Sequence, residues 1–107
     1  MINKKIGGLL GLARKAGKVV FGTESTIEAI CKKQVKLVIV AQDAADRTKK
    51  NLEQIAIKQK VPFYIYGTIE ELSKVIGQQN KAIIGIKEIH FSNEIIKIMN
   101  NGGEMIG

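Results

Sequence analysis

The chain has 107 residues, a formal charge of +7 and 45% hydrophobic residues, which fits a single domain over residues 1–107 and excludes a disordered, tail-like protein. With no Trp, 3 Phe and 2 Tyr, the core must be built from Ile, Val, Leu and Ala. A single cysteine, Cys31, and a single histidine, His90, exclude an internal disulfide and a metal cluster, and no cofactor is expected.

Asn3 is the predicted N-cap of a first helix, with Ile6, Leu9, Leu10 and Ala13 facing inward and Lys4, Lys5, Arg14 and Lys15 outward. Gly17 is suited to end it. Val19-Val20-Phe21 reads as a short strand, and Gly22 turns the chain into a second helix. Thr23 is expected to cap that helix by accepting from the N–H of Ser25 or Thr26. Ile27, Ile30 and Cys31 form its buried stripe, which makes Cys31 a small buried hydrophobe rather than a reactive thiol. Leu37 to Ala41 is a continuous branched run, the signature of a central strand covered on both faces. It is also the longest apolar run and far too short to cross a bilayer. Asp46 opens a third helix packed through Leu52, Ile55 and Ala56, with Arg47, Lys49 and Lys50 facing water. Pro62 edges a strand over Phe63-Tyr64-Ile65-Tyr66. Thr68 and Glu71 have the spacing of a capping box for a fourth helix carrying Leu72, Val75 and Ile76. Ala82 to Ile86 is a last buried strand. Ser92 is expected to cap a final helix with Ile95, Ile98 and Met99, stopped by Asn101-Gly102-Gly103. The alternation αβαβαβαβα predicts an α/β fold, a single sheet sandwiched between helices on both faces. No signal-peptide pattern opens the chain, so a cytoplasmic place and no membrane partner are expected.

The positive charge is unevenly spread. From Met1 to Lys50 there are 11 Lys and Arg against 4 Asp and Glu, and from Asn51 to Gly107 the numbers are 6 and 6. The whole excess lies in the first half, which favours a polyanionic partner, because cations that neutralise phosphates release condensed counterions. The sites of an enzyme are missing. Gly11 to Lys18 resembles a phosphate-binding loop but has five residues between its glycines, Val19 where Ser or Thr is needed, and no preceding strand. His90 has no evident nucleophile or orienting carboxylate. What remains is the Gly22-Thr23-Glu24-Ser25 turn. The amides of Thr23 through Thr26 are expected to be unpaired donors with a partial positive charge, and Gly22 lets a ligand approach the backbone. Every α/β protein has strand-to-helix turns of this kind, so the residues alone leave both readings open.

Gly17-Lys18-Val19-Val20-Phe21-Gly22-Thr23, Leu37-Val38-Ile39-Val40-Ala41-Gln42-Asp43 and Val61-Pro62-Phe63-Tyr64 resemble blocks of the L-seven-Ae and L-thirty-e type ribosomal proteins, in the same order over nearly the whole chain. Gly11-Leu12-Ala13 and Ala16-Gly17-Lys18-Val19-Val20 are most similar to the bacterial YlxQ-like members. The resemblance implies a three-layer α/β/α sandwich with a single mixed, mostly four-stranded sheet, and an RNA-binding protein. The RNA it implies is the kink-turn, an internal bend held by tandem sheared G·A pairs, in ribosomal or regulatory RNA, with the ribosome as a possible host. The family's contacts carry over by position to Gly22, Thr23, Glu24, Ser25 and Glu28 on the turn and helix, Gln42 after the central strand, and Gln78, Gln79, Asn80, Lys81 and Ala82 before the last strand. This chain departs from the pattern at Glu24, Ser25 and Glu28, where Asn-Glu or Lys-Gln and a lysine one turn later are common. Arg14, Lys15, Lys18, Lys32 and Lys33 are expected to surround the turn and compensate. The alternative is a protein-interaction module that keeps the fold without specific RNA recognition.

Overall fold

The computed structural model describes the backbone of residues 2–106 and the side chains of residues 2–101. Helix α1 (Lys4–Lys15) begins where Asn3 accepts from the N–H groups of Lys5 and Ile6 at 2.8 and 3.2 Å. It ends in a Schellman turn. Lys18 N–H reaches Ala13 O at 2.9 Å and Gly17 N–H reaches Arg14 O at 3.1 Å, with Gly17 at φ 72°, a conformation glycine adopts without Cβ strain. Strand β1 (Val19–Phe21), helix α2 (Thr23–Cys31), strand β2 (Leu37–Val40) and helix α3 (Asp46–Lys58) follow. Strand β3 (Phe63–Ile65), helix α4 (Ile69–Val75), strand β4 (Ile83–Ile86) and helix α5 (Ile89–Ile106) complete the order. The capping box of α4 is formed as the sequence predicts: Glu71 N–H donates to Thr68 Oγ1 and Thr68 N–H to Glu71 Oε1.

The sheet is ordered β1-β4-β2-β3. Strand β2 pairs parallel with β3, whereas β4 lies antiparallel between β1 and β2, with Val20 and Val38 both opposite Gly85. Side chains alternate across a strand, so β2 and β4 divide the interior into two layers. Leu37, Ile39, Ile84 and Ile86 pack with Ile6 and Leu10 of α1, Leu72 of α4 and Ile95 of α5. Val38, Val40 and Ile83 pack with Ala29 and Ile30 of α2 and Leu52 of α3. The result is a three-layer α/β/α sandwich on a mixed four-stranded sheet. Gly85 decides how closely α2 sits: a Cβ there would lie 2.8 Å from Val20 Cγ1 and 3.3 Å from Thr26 Cγ2.

Several local expectations are corrected. Thr23 does not cap α2; Gly22 is the N-cap, with no side-chain bond, and Thr23 is the first helical residue. Cys31 is exposed, and Thr26, Ala29 and Ile30 form the buried stripe, since α2 is rotated about its axis so that the edge through these three residues faces the sheet. Arg14 is half-buried rather than outward, and Lys49 is half-buried. Ser92 is not the cap of α5. The helix opens at Ile89, where Glu88 accepts from Phe91 N–H at 2.8 Å, and Ser92 is buried with its hydroxyl on Glu88 O at 2.9 Å. The backbone of α5 also runs through Asn101-Gly102-Gly103 instead of stopping there; glycine disfavours a helix without forbidding it. His90 does have a carboxylate partner, Glu88 Oε2 at 2.6 Å from Nδ1.

Candidate nucleic-acid interface

Because β1, β2 and β3 run in one direction and β4 in the other, one pole of the sheet collects the ends of the first three and the start of the fourth. That is the usual ligand-binding edge of an α/β sheet. Backbone bonds tie the segments there together. Gly22 N–H donates to Ile83 O at 3.1 Å, Ala41 N–H to Ala82 O at 2.8 Å and Gln42 N–H to Gly67 O at 2.8 Å. The turn after β1, Gln42 after β2 and the segment before β4 therefore share one surface.

Gly22 sits at φ 89° and ψ 159°, a region open essentially to glycine alone. Apart from its chain neighbours, nothing among the described residues lies within 4 Å of where its Cβ would be, so the space above the turn is free for a ligand. Thr26 N–H is satisfied by Gly22 O at 3.2 Å, which corrects the expectation of four free donors. The amides of Thr23, Glu24 and Ser25 remain, as first-turn donors without an intrahelical acceptor. All three side chains are exposed.

Beside the turn, Phe21 carries two cations. The Arg14 guanidinium carbon is 5.5 Å from its ring centroid and Lys81 Nζ is 5.6 Å away, both within cation–π range. Arg14 Nε is buried with no acceptor among the described residues, so its outer nitrogens carry the donors a ligand can use. Lys81 is fixed from the other side by Ser73 of α4. Its N–H donates to Ser73 Oγ at 2.8 Å, and that hydroxyl donates to Lys81 O at 3.2 Å. Gln79 and Asn80 are exposed at the tip of this loop, and Asn80 takes φ 56°, as asparagine readily does. Gln78 N–H is bonded to Ser73 O at 2.8 Å.

The remaining predicted cations separate into groups. Lys15 lies with Arg14 and Lys74 along the groove between α1 and α4. Lys18 is not at the turn: Lys18 O accepts from Lys87 N–H at 2.8 Å, at the opposite end of β1, four residues or about 13 Å from Gly22. Lys32 and Lys33 follow the far end of α2, about 13 Å along the helix from Thr23. Glu28, half-way along, forms an ion pair with Lys32 at 3.0 Å. The structure thus unites Arg14, Gly22, Thr23, Glu24, Ser25, Gln42, Gln79, Asn80 and Lys81, and sets Lys18, Lys32 and Lys33 apart. Sequence reading missed the Phe21 platform and the Ser73 clamp. An aromatic directly before a Gly-Thr turn was the signal for the first; the second depends on a loop contact that has none.

Residues 4–96 match the model of the Ribosomal protein L7Ae/L30e/S12e/Gadd45 family. The chain belongs to this family. Among L7Ae/L30e-type relatives, it is 34% identical over 91 residues to RNA-binding protein YlxQ of Enterococcus faecium, covering 85% of this chain and 87% of that one. A solved Bacillus halodurans protein of unknown function superposes with a TM-score of 0.88 at 32% identity, covering 92% of this chain and 99% of the other. A Giardia lamblia 15.5 kD RNA binding protein shares the fold, with a TM-score of 0.76 at 17% identity over 91% of this chain and 89% of its own.

Proposed function

We propose that this L7Ae/L30e-type chain is an RNA-binding protein of the cytoplasm, without catalytic activity, that docks kink-turn or similarly bent ribosomal or regulatory RNA on the pole at the carboxyl ends of β1, β2 and β3. The observation that carries the reading is the convergence there of an open glycine turn with three first-turn amides, a Phe21 platform holding Arg14 and Lys81, and the amide side chains of Gln42, Gln79 and Asn80. The amides and the cations answer phosphate oxygens. Glu24 accepts from guanine amino or imino groups, and Gln42 offers both a donor and an acceptor to an extruded base. RNA-binding relatives of similar length support the class of partner. The test is titration of a kink-turn RNA against a copy with its G·A pairs replaced. Tighter binding of the intact bend, falling with rising salt, is the expected result. Equal affinity for the two would remove the bend-reading role, and failure to bind either would leave a protein-interaction module on the same fold.

A further inference from the structure

The opposite pole of the sheet also gathers lysines, four of them around one cleft. Helices α2 and α3 both end there in Schellman turns: Gln34 N–H on Ala29 O and Lys33 N–H on Ile30 O, each at 2.9 Å, then Val61 N–H on Ala56 O at 2.8 Å and Lys60 N–H on Ile57 O at 3.1 Å. The left-handed position of these turns is taken by Lys33 (φ 61°) and Lys60 (φ 60°), whereas α1 and α4 end with Gly17 and Gly77. A side chain in that conformation crowds its own backbone, so neither lysine is there for the turn's sake. The carbonyls are already satisfied by the turn bonds, so neither is needed as a cap donor.

Lys33 and Lys60 line one cleft of about 460 Å³ together with Lys36 and Lys58, over Val61 and Pro62, and no carboxylate among the described residues lines it. Lys33, Lys36, Lys58 and Lys60 are exposed and form no ion pair among the described residues. The C-terminal ends of α2 and α3 bring about half a negative charge each, which leaves four lysines well in excess. Next to the cleft, Lys87 is held beside Lys18 by the backbone bond between them, and lines a smaller depression with Lys32, Glu28 and Ser25, which leads along α2 towards the Gly22 turn. The nearby carboxylates are occupied, Glu28 by Lys32 and Glu88 by His90 and the Phe91 amide.

We propose that this pole is a second RNA site, which grips the phosphate backbone of a segment other than the one at the Gly22 turn and adds affinity without reading sequence or bend. A row of solvated lysines with no aromatic among them suits phosphate oxygens rather than bases. The choice of RNA over another polyanion rests on the proposed function above. The test is a Lys33→Gly/Lys60→Gly double variant, which removes two charges while giving both turns the residue they favour; its thermal midpoint is expected to hold or rise. Its affinity for a bent RNA and for a straight A-form duplex is expected to fall by roughly 3–10-fold, with the ratio between the two RNAs unchanged and the salt slope shallower by about 1–2. Unchanged affinities and slopes would overturn the second site while leaving the Gly22 site standing. A fall in the ratio would overturn it too, by placing these lysines in the bend-reading surface. Wild-type protein that binds neither RNA would remove the proposed function and this site with it.

Discussion

Replacing Glu28 by lysine is expected to tighten RNA binding. Glu28 lies on the exposed face of α2, 3.0 Å from Lys32, with both side chains more than half exposed at 66% and 60%. The substitution changes the local charge by two units. At a phosphate ~7 Å away in water each unit is worth ~0.6 kcal/mol, and screening at physiological salt reduces the two together to roughly 0.5–1 kcal/mol. That corresponds to about 2–5-fold in affinity. The same change removes an i,i+4 ion pair and creates a like-charge pair, at a combined cost to helix stability of about 0.6–1 kcal/mol. Stability and affinity are therefore predicted to move in opposite directions, which separates a local electrostatic effect from a general improvement of the fold. Fluorescence anisotropy with labelled kink-turn RNA, run at several salt concentrations beside a denaturant melt, measures both. Glu28→Gln should fall between wild type and Glu28→Lys. Weaker binding by Glu28→Lys would refute the reasoning by making Glu28 an acceptor for a specific RNA donor, and unchanged binding would refute it by putting Glu28 outside the site.

Gly22→Ala should lower stability by about 1–3 kcal/mol, because φ 89° with ψ 159° is strained for any residue with a Cβ. No clash adds to that strain, since the space is open. A thermal midpoint within about 2 °C of wild type would contradict the strain argument. The N–H groups of Phe91 and His90, followed by the side chain of His90, hold the Glu88 carboxyl down to about 2 from an ordinary 4.5. Its folded-state pKa is depressed, so its contribution is present above about 4.5 and is lost as pH falls towards 2. Glu88→Gln should accordingly melt below wild type at neutral pH and converge with it near pH 2. A gap that stays constant across that range would show that the carboxylate's charge has no part in starting α5.

Local chemistry was the legible part of this chain. Asn3 and the Thr68–Glu71 box satisfy helix amides within three residues of themselves, so their role is written in spacing alone. Where two side chains compete for one role, spacing is not enough. Ser92 has the residue type of a cap, yet Glu88 starts α5 four residues earlier because its side chain accepts from Phe91 N–H in the first turn, while Ser92 turns its hydroxyl onto Glu88 O. Cys31 failed for a different reason: helical periodicity gives the relative angle of side chains, and the seating of α2 over Gly85 sets which angle faces the sheet. A glycine inside the apolar run Ile83-Ile84-Gly85-Ile86 was the available sign of that close approach.

The element order, the branched central strand, the glycine turn after β1 and the family are written in the residues, because these depend on patterns within a few positions or on blocks in a fixed order. Which pole each cation occupies depends on how the strands are arranged in space. That follows from strand direction: β4 enters antiparallel between β1 and β2, bringing Lys81 to Phe21 and the Gly22 turn and sending Lys87 to the far end beside Lys18. Lysines close in sequence to the turn are thereby remote from it in space. The basic half of the chain is divided between two surfaces, and net charge cannot reveal that division.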